Sequence, residues 1–418
     1  MSRCRPSGCH NGQAGIALSL FLAAVLLLIA AAPSQADFYS YPKHRAIAHA
    51  RNGRVFDTQR MKVTSDLRRV SGRAARIMYR SQGLGRKPVA VTGFLMTPRG
   101  RSPKRGWPVV AWAHGTSGVG PQCAPSRWPD LYPPPAFDGY EVMVKRLLAD
   151  GYAVVGTDYA GLGFPNRLHP YLQIGPETRA VVDSVRAARR VAPHIGRRWF
   201  GVGHSQGGGA VLGAAATSRR APRLHFLGAA SIAPGSHLHL AVDDLARVSP
   251  PYEGDKATVP AYASYIATSA RLFSRDIEYT DLLSPAAAQQ IPAAEHLCLD
   301  VLGLHFATLD PPLKRAINPS WSTHRDLRHF FPRTDPARRQ AHGPILLLQG
   351  KKDHVVSPRF THRLNRRLCR LGDVVRYLVY PHADHDTILN ASYPALQRWL
   401  GRLLHGRAAP QNCGGRRH

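Results

Sequence analysis

The residues best suited to chemistry are Gly203-His204-Ser205-Gln206-Gly207, a G-x-S-x-G pattern between the apolar run Trp199–Val202 and the small-residue stretch Gly208–Ala216. Where a strand turns sharply into a helix, a serine at the turn presents its hydroxyl. The flanking glycines are needed because a side chain there would strike the neighbouring strand or helix. The new helix then points its first N–H groups at the site and favours negative charge. Alone, the pattern is weak in a chain with 37 glycines, where a Gly-rich turn holding an ordinary serine is the alternative. The strand–turn–helix context makes Ser205 the predicted nucleophile.

A serine hydroxyl needs a base to take its proton and a third group to orient that base. On a strand–turn–helix serine the partners follow in the order Ser, Asp/Glu, His. Downstream, Pro344–Gly350 reads as a buried strand, and Asp353 lies just past its end, where a carboxylate reaches the same sheet edge. Asp353 is therefore the predicted orienting acid, with a surface turn aspartate as the plainer reading. Beyond a second strand, Val374–Val379, come His382 and His385. His385, further along the loop and just before Thr387–Asn390, is the predicted base. His382 is the alternative, otherwise a loop or supporting residue, and Asp384 and Asp386 read as solvated.

The oxyanion of a tetrahedral intermediate also needs donors. One is expected from the N–H of Gln206. The other is expected from Gly115 or Thr116, in the loop His114-Gly115-Thr116-Ser117-Gly118 that follows the strand Val109–Ala113. An ordinary Gly-rich turn is the alternative for that loop. There is no H-E-x-x-H, no Walker A sequence and no dinucleotide fingerprint, so the chemistry read here requires neither metal nor cofactor.

These groups must be gathered at one sheet edge. Strand-like runs at Val89–Met96, Val109–Ala113, Ala153–Thr157, Trp199–Val202, His225–Ile232, Ile345–Leu348 and Val374–Val379 alternate with helical spacing at Glu141–Asp150, Glu177–Val191, Gly207–Ala216 and Ser392–Leu404. Alternation of this kind predicts an α/β fold: a mostly parallel sheet with helices on both faces. Residues 234–343 lack a strong strand signal and contain helix-like pieces, Val259–Phe273 and Pro285–Leu297. A structureless loop of that length would be improbable, so they are expected to form a mainly helical cap inserted between two core parts, 37–233 and 344–418. Within it, Tyr262, Tyr265, Ile266, Leu272 and Phe273 suit either an acyl pocket or the cap's own core.

The first 36 residues combine Arg3 and Arg5, the apolar run Gly15–Ala32 and the small-residue end Ser34-Gln35-Ala36. This reads as a signal peptide, implying secretion to an extracellular or periplasmic space; an uncleaved anchor is the alternative. Cys123, Cys298, Cys369 and Cys413 then remain. Their wide spacing is unlike a zinc site and fits two disulfides, for which three pairings are open. The charge is strongly basic, 56 Lys+Arg against 26 Asp+Glu. The cations are spread along the chain without a nucleic-acid motif, so no nucleic-acid partner is expected. Transient contact with lipid surfaces stays open, and no motif bears on oligomeric state.

Taken in order, Arg76–Ser81 with Ala90–Gly93, Ala111–Thr116 with Cys123–Ser126, Asp158–Gly163 with His169–Tyr171, Gly203–Gly208 and Gly350–Val356 resemble the secretory lipases, a family of capped α/β-hydrolase-fold lipases and esterases. The resemblance spans most of residues 75–400, with the cap matched only loosely. It implies Ser205, Asp353 and His385 as a catalytic triad and Cys123–Cys298 and Cys369–Cys413 as disulfides. The expected activity is hydrolysis of lipid or small esters. An acyltransferase with the same triad is the alternative and a peptidase the weaker third. A non-catalytic hydrolase-like binding protein is disfavoured by the complete set of reactive groups.

Overall fold

Parallel strands covered on both faces need near-continuous apolar runs. The chain supplies them at Trp107–Ala113 (WPVVAWA) and Ile345–Gly350 (ILLLQG), the second buried at every position. The computed structural model describes residues 38–134, 139–247 and 258–414. It separates Met1–Ser40, of which only Phe38–Ser40 are described, from Tyr41–His418. The expected signal peptide, 1–36, lies outside the described residues, as do residues 248–257 of the expected insertion.

Among the described residues, nine strands form one sheet: β1 (Val55–Arg60), β2 (Ser71–Gln82), β3 (Pro88–Pro98), β4 (Trp107–Ala113), β5 (Ala153–Thr157), β6 (Ile195–His204), β7 (His225–Ile232), β8 (Ile345–Gly350) and β9 (Val375–Tyr380). Their order is β1-β2-β3-β5-β4-β6-β7-β8-β9. The first three strands pair antiparallel, as do β3 and β5, and every pairing from β5 through β4 to β9 is parallel. The order reverses at β4, between β5 and β6. Such a reversal opens a crevice beyond the carboxyl ends of the strands, where ligands bind in open α/β sheets.

Among the described residues, eight helices are at least eight residues long: α1 (Gly139–Ala149), α2 (Ile174–Val191), α3 (Gln206–Thr217), α4 (Leu238–Leu245), α5 (Val259–Phe273), α6 (Leu299–Ala307), α7 (Pro358–Arg370) and α8 (Ile388–Leu404). The period-2 alternation of β4 sorts them. Val110 and Trp112 join a cluster with Leu147 of α1 and Leu396 and Trp399 of α8. Val109, Ala111 and Ala113 face Val181 and Val185 of α2 and Val211 of α3. The helices thus cover both faces of the sheet, and α7 packs Leu364 and Leu368 against Ile345 and Leu347.

Three elements differ from the sequence reading. Helix α8 starts at Ile388 rather than Ser392 and runs through Pro394. Pro394 lies on the exposed side, as does Asn390 one turn earlier, so water can take the carbonyl that proline leaves without a donor. Residues 285–297 form two short helices, Pro285–Ala288 and Ile291–His296, because the ring of Pro292 is incompatible with a helix running on past Ala288. Strand β1 and the amino-terminal half of β2 carry no clear apolar alternation and were not expected.

Between β7 and β8 the regular structure of the described chain is helical, joined by loops, apart from one isolated bridge, Leu283 with Ile317. It has its own apolar cluster, including Tyr265, Ile266, Leu302 and Phe330, joined by Val119, Tyr171 and Leu172 from the loops after β4 and β5. Among the described residues two disulfides are present, Cys123–Cys298 and Cys369–Cys413. The first ties the loop after β4 to the residue preceding α6; the second ties α7 to the carboxyl-terminal segment. No described helix is long and apolar enough to cross a membrane.

Candidate active site

Strand β6 ends at His204 and α3 begins at Gln206, which leaves Ser205 alone at the turn with φ 55° and ψ −119°. A non-glycine residue adopts such a conformation only where its surroundings impose it. Here they do so through the backbone. The Ser205 N–H donates to the Ile232 carbonyl at 2.9 Å, and its own carbonyl accepts from the N–H groups of Gly208 (2.9 Å) and Gly235 (3.0 Å). Two of the motif's glycines are sterically required. A Cβ on Gly207 would lie 1.9 Å from the Ala113 carbonyl oxygen, and one on Gly203 would lie 2.2 Å from that of Gly207.

Asp353 and His385, from the loops after β8 and β9, meet with Oδ2 and Nδ1 2.8 Å apart. Both are buried, Asp353 at 3% exposed and His385 at 7%. Facing a carboxylate, Nδ1 carries the proton, which leaves Nε2 with a free lone pair. The Asp353 carboxylate also accepts from Gln349 Nε2 (2.9 Å) and the N–H groups of Val355 (2.9 Å) and Val356 (2.7 Å). Gln349 is itself fixed by the Thr361 hydroxyl at 2.6 Å. Burial pulls the His385 imidazole down, but the charge and hydrogen bond of Asp353, helped by Asp386 and Asp384, outweigh it and hold the group above its ordinary value. His382 is exposed. Asp384 is exposed too, yet its carboxylate accepts from the Thr387 N–H (2.8 Å) and hydroxyl (2.6 Å), closing the turn that carries His385.

His204, the variable residue before the serine, links the two sides of the site. Its Nε2 lies 2.8 Å from the His385 carbonyl oxygen and so donates to it. That fixes Nδ1 as an acceptor, and the Tyr140 hydroxyl of α1 donates to it at 3.1 Å. The same hydroxyl accepts from the Gly115 N–H at 2.8 Å. Burial, reinforced by neighbouring His385, pushes the His204 imidazole well below its ordinary value, so it stays neutral. The N–H of Gly115, one of the two candidate oxyanion donors, is thus engaged by Tyr140. Thr116 is buried and gripped at its hydroxyl by Tyr171 (2.6 Å) and at its carbonyl by Tyr132 (3.2 Å).

A second buried network was not anticipated from sequence. The Gln206 side-chain amide donates one hydrogen to Glu177 Oε1 at 2.7 Å and the other to His169 Nε2 at 2.6 Å. His169 Nδ1 donates to the Ala160 carbonyl at 2.9 Å, and its ring stacks on Tyr159 at 12°. Glu177, on α2, is fully buried, and burial raises its carboxyl above the usual range. Of its members, sequence singled out Gln206 in the serine motif and the segment His169-Pro170-Tyr171. Tyr140 and Glu177 had been given no chemical role.

Ser205 and Gln206 open onto a cavity of about 110 Å³, walled by Leu172, Leu238 of α4, Tyr262 and Ile266 of α5, and Phe360. Of the aromatic and apolar residues weighed for an acyl pocket, Tyr262 and Ile266 line it. Tyr265 is buried, with its hydroxyl on the Leu297 carbonyl, and Phe273 packs on Phe330. Leu272 is exposed.

No curated protein matches the sequence. Among solved structures, lipase A of Candida antarctica is similar with a TM-score of 0.73 and 15% identity, over 90% of this chain and 87% of that one. The rice cell wall degrading esterase LipA of Xanthomonas oryzae is similar with a TM-score of 0.69 and 19% identity, over 86% of this chain and 100% of that one. At these identities the likeness is one of fold, and it agrees with the resemblance to capped lipases and esterases read from the motifs. The model of the family described as serine aminopeptidase, S33, matches residues 137–391, a span running from α1 through the Ser205 turn to the His385 loop. By that match the chain belongs to the serine aminopeptidase S33 family of α/β hydrolases.

Proposed function

We propose that this hydrolase cleaves carboxylic esters through an acyl-enzyme on Ser205. Neutral His385 takes the Ser205 hydroxyl proton as the oxygen attacks the ester carbonyl, and Asp353 stabilises the imidazolium that forms. The N–H groups of Thr116 and Gln206 receive the oxyanion. His385 then protonates the leaving alcohol, and water, activated by the same imidazole, releases the acid. The observation that carries this reading is the buried His385–Asp353 pair, anchored through His204 to the strained serine turn.

Residues 234–343 act as a cap on the acyl side of the site, with α4 and α5 forming the pocket wall. A cavity of about 110 Å³ is well below the roughly 300–1,000 Å³ of sites for drug-sized ligands, so short acyl groups are preferred. Disulfides persist in oxidising compartments; the two here, with the leader read at residues 1–36, support secretion. Membership of the serine aminopeptidase S33 family favours a second reading, cleavage of an aminoacyl amide by the same groups.

A panel of p-nitrophenyl acetate, butyrate and palmitate beside an aminoacyl p-nitroanilide separates these readings. Acetate or butyrate should be cleaved at least about tenfold faster than palmitate, a factor that a few methylenes in a pocket supply. Faster cleavage of the anilide than of every ester would replace esterase by aminopeptidase.

A further inference from the structure

The described surface has a second concave site, with a cavity of about 330 Å³ away from Ser205. It lies between the turn after β2, helix α2, the end of α3, and residues 332–339, where the chain returns from the insertion to the core. Seven arginines and two aspartates line it. Both acids are already paired: Asp183 with Arg186, and Asp335 with Arg367. Among the described residues, Arg86, Arg179, Arg220, Arg338 and Arg339 have no carboxylate partner.

Arg179 is the centre of the cluster. Its guanidinium is fixed by the carbonyls of Gln82 (3.0 Å) and Gly83 (2.8 Å), neutral acceptors that orient the fork, while nearby Asp183, already paired with Arg186, offsets its charge only in part. Burial, then the charges of Arg86 and Arg220, pull it down to about 10. Like charges crowded into a recess repel one another, and a bound anion would remove that cost. Planar arginine forks match phosphate oxygens in pairs, and several forks converging in one recess suit a group with more than one negative charge. The recess is of small-molecule size and concave, unlike a face that lies flat on a bilayer.

We propose that this cavity is a binding site for a small phosphorylated compound, held by Arg179, Arg86 and Arg220 from the core and by Arg338 and Arg339 from the end of the insertion. The site is independent of the ester chemistry. Basic residues also line a groove around Lys104, Arg105 and Arg198, which provides an internal control for general charge effects.

The test uses the full chain, titrated calorimetrically with pyrophosphate at constant ionic strength. Three proteins are compared: the wild type, the double variant Arg86→Gln/Arg220→Gln, and Arg105→Gln. Arg86 and Arg220 are exposed, so the double variant keeps its fold, which circular dichroism checks. One saturable site is expected, weakened about tenfold or more in the double variant, the loss expected for one or two charged hydrogen bonds, and unchanged in Arg105→Gln. Equal weakening in Arg105→Gln, or a response that never saturates, would overturn the proposal in favour of diffuse attraction. Vesicles of phosphatidylglycerol and of phosphatidylcholine form a second arm. Binding to the anionic vesicles alone, with none to pyrophosphate, would overturn it in favour of a lipid surface.

Discussion

The pH at which His385 can accept a proton is set by three carboxylates and by burial. Burial depresses the imidazole, and Asp353, Asp386 and Asp384 together raise it above its ordinary value. The proposed reaction needs the neutral ring, so kcat/KM should rise with pH through that elevated value and reach a plateau above it. Asp386→Asn removes one of the raising charges and should move the acidic limb to lower pH without abolishing turnover. A pH–rate profile checks this, and a limb that stays in place would mean that another group titrates. At this scale the sequence was legible wherever chemistry imposes spacing: Ser205 by its glycines, Asp353 and His385 by their places past strand ends. The Tyr140–His204 contact and the Gln206–Glu177–His169 network were illegible because they join helices and loops that only the folded chain brings together.

Among the elements, α4 and α5 wall the cavity onto which Ser205 opens. Leu238 on α4 is half-buried at the cavity wall, so shortening it enlarges the pocket at little expense to the core. Leu238→Ala is expected to shift the preferred ester by about two to four carbons toward longer acyl chains, since each buried methylene contributes on the order of 0.8 kcal/mol. Initial rates across a p-nitrophenyl ester series measure the shift; an unchanged profile would place the acyl group elsewhere. The parallel strands were readable because burial on both faces makes them continuously apolar. Strand β2 was less so: its sequence, SGRAARIMYRSQ, carries three arginines, and its two exposed positions, Gly72 and Arg73, are adjacent rather than alternating. The Pro285–Leu297 region was read as one helix because apolar spacing continued across Pro292, where the backbone could not.

Over the whole molecule, the Cys123–Cys298 bond spans 175 residues of sequence and joins the loop after β4 to the start of α6. Replacing both cysteines by serine should lower stability by about 2–5 kcal/mol, mainly by releasing the unfolded chain. Chemical denaturation of the wild type and the double variant reads this directly, and an unchanged midpoint would show that packing alone holds the two segments. The most direct test of the central claim is covalent labelling by an alkyl fluorophosphonate, located by mass spectrometry of the digested protein and paired with ester turnover. One label per chain on Ser205 is expected, with Ser205→Ala folded, unlabelled and slower by at least about 10⁴-fold. Labelling at another residue, or a Ser205→Ala protein that still cleaves esters at the wild-type rate, would contradict the assignment.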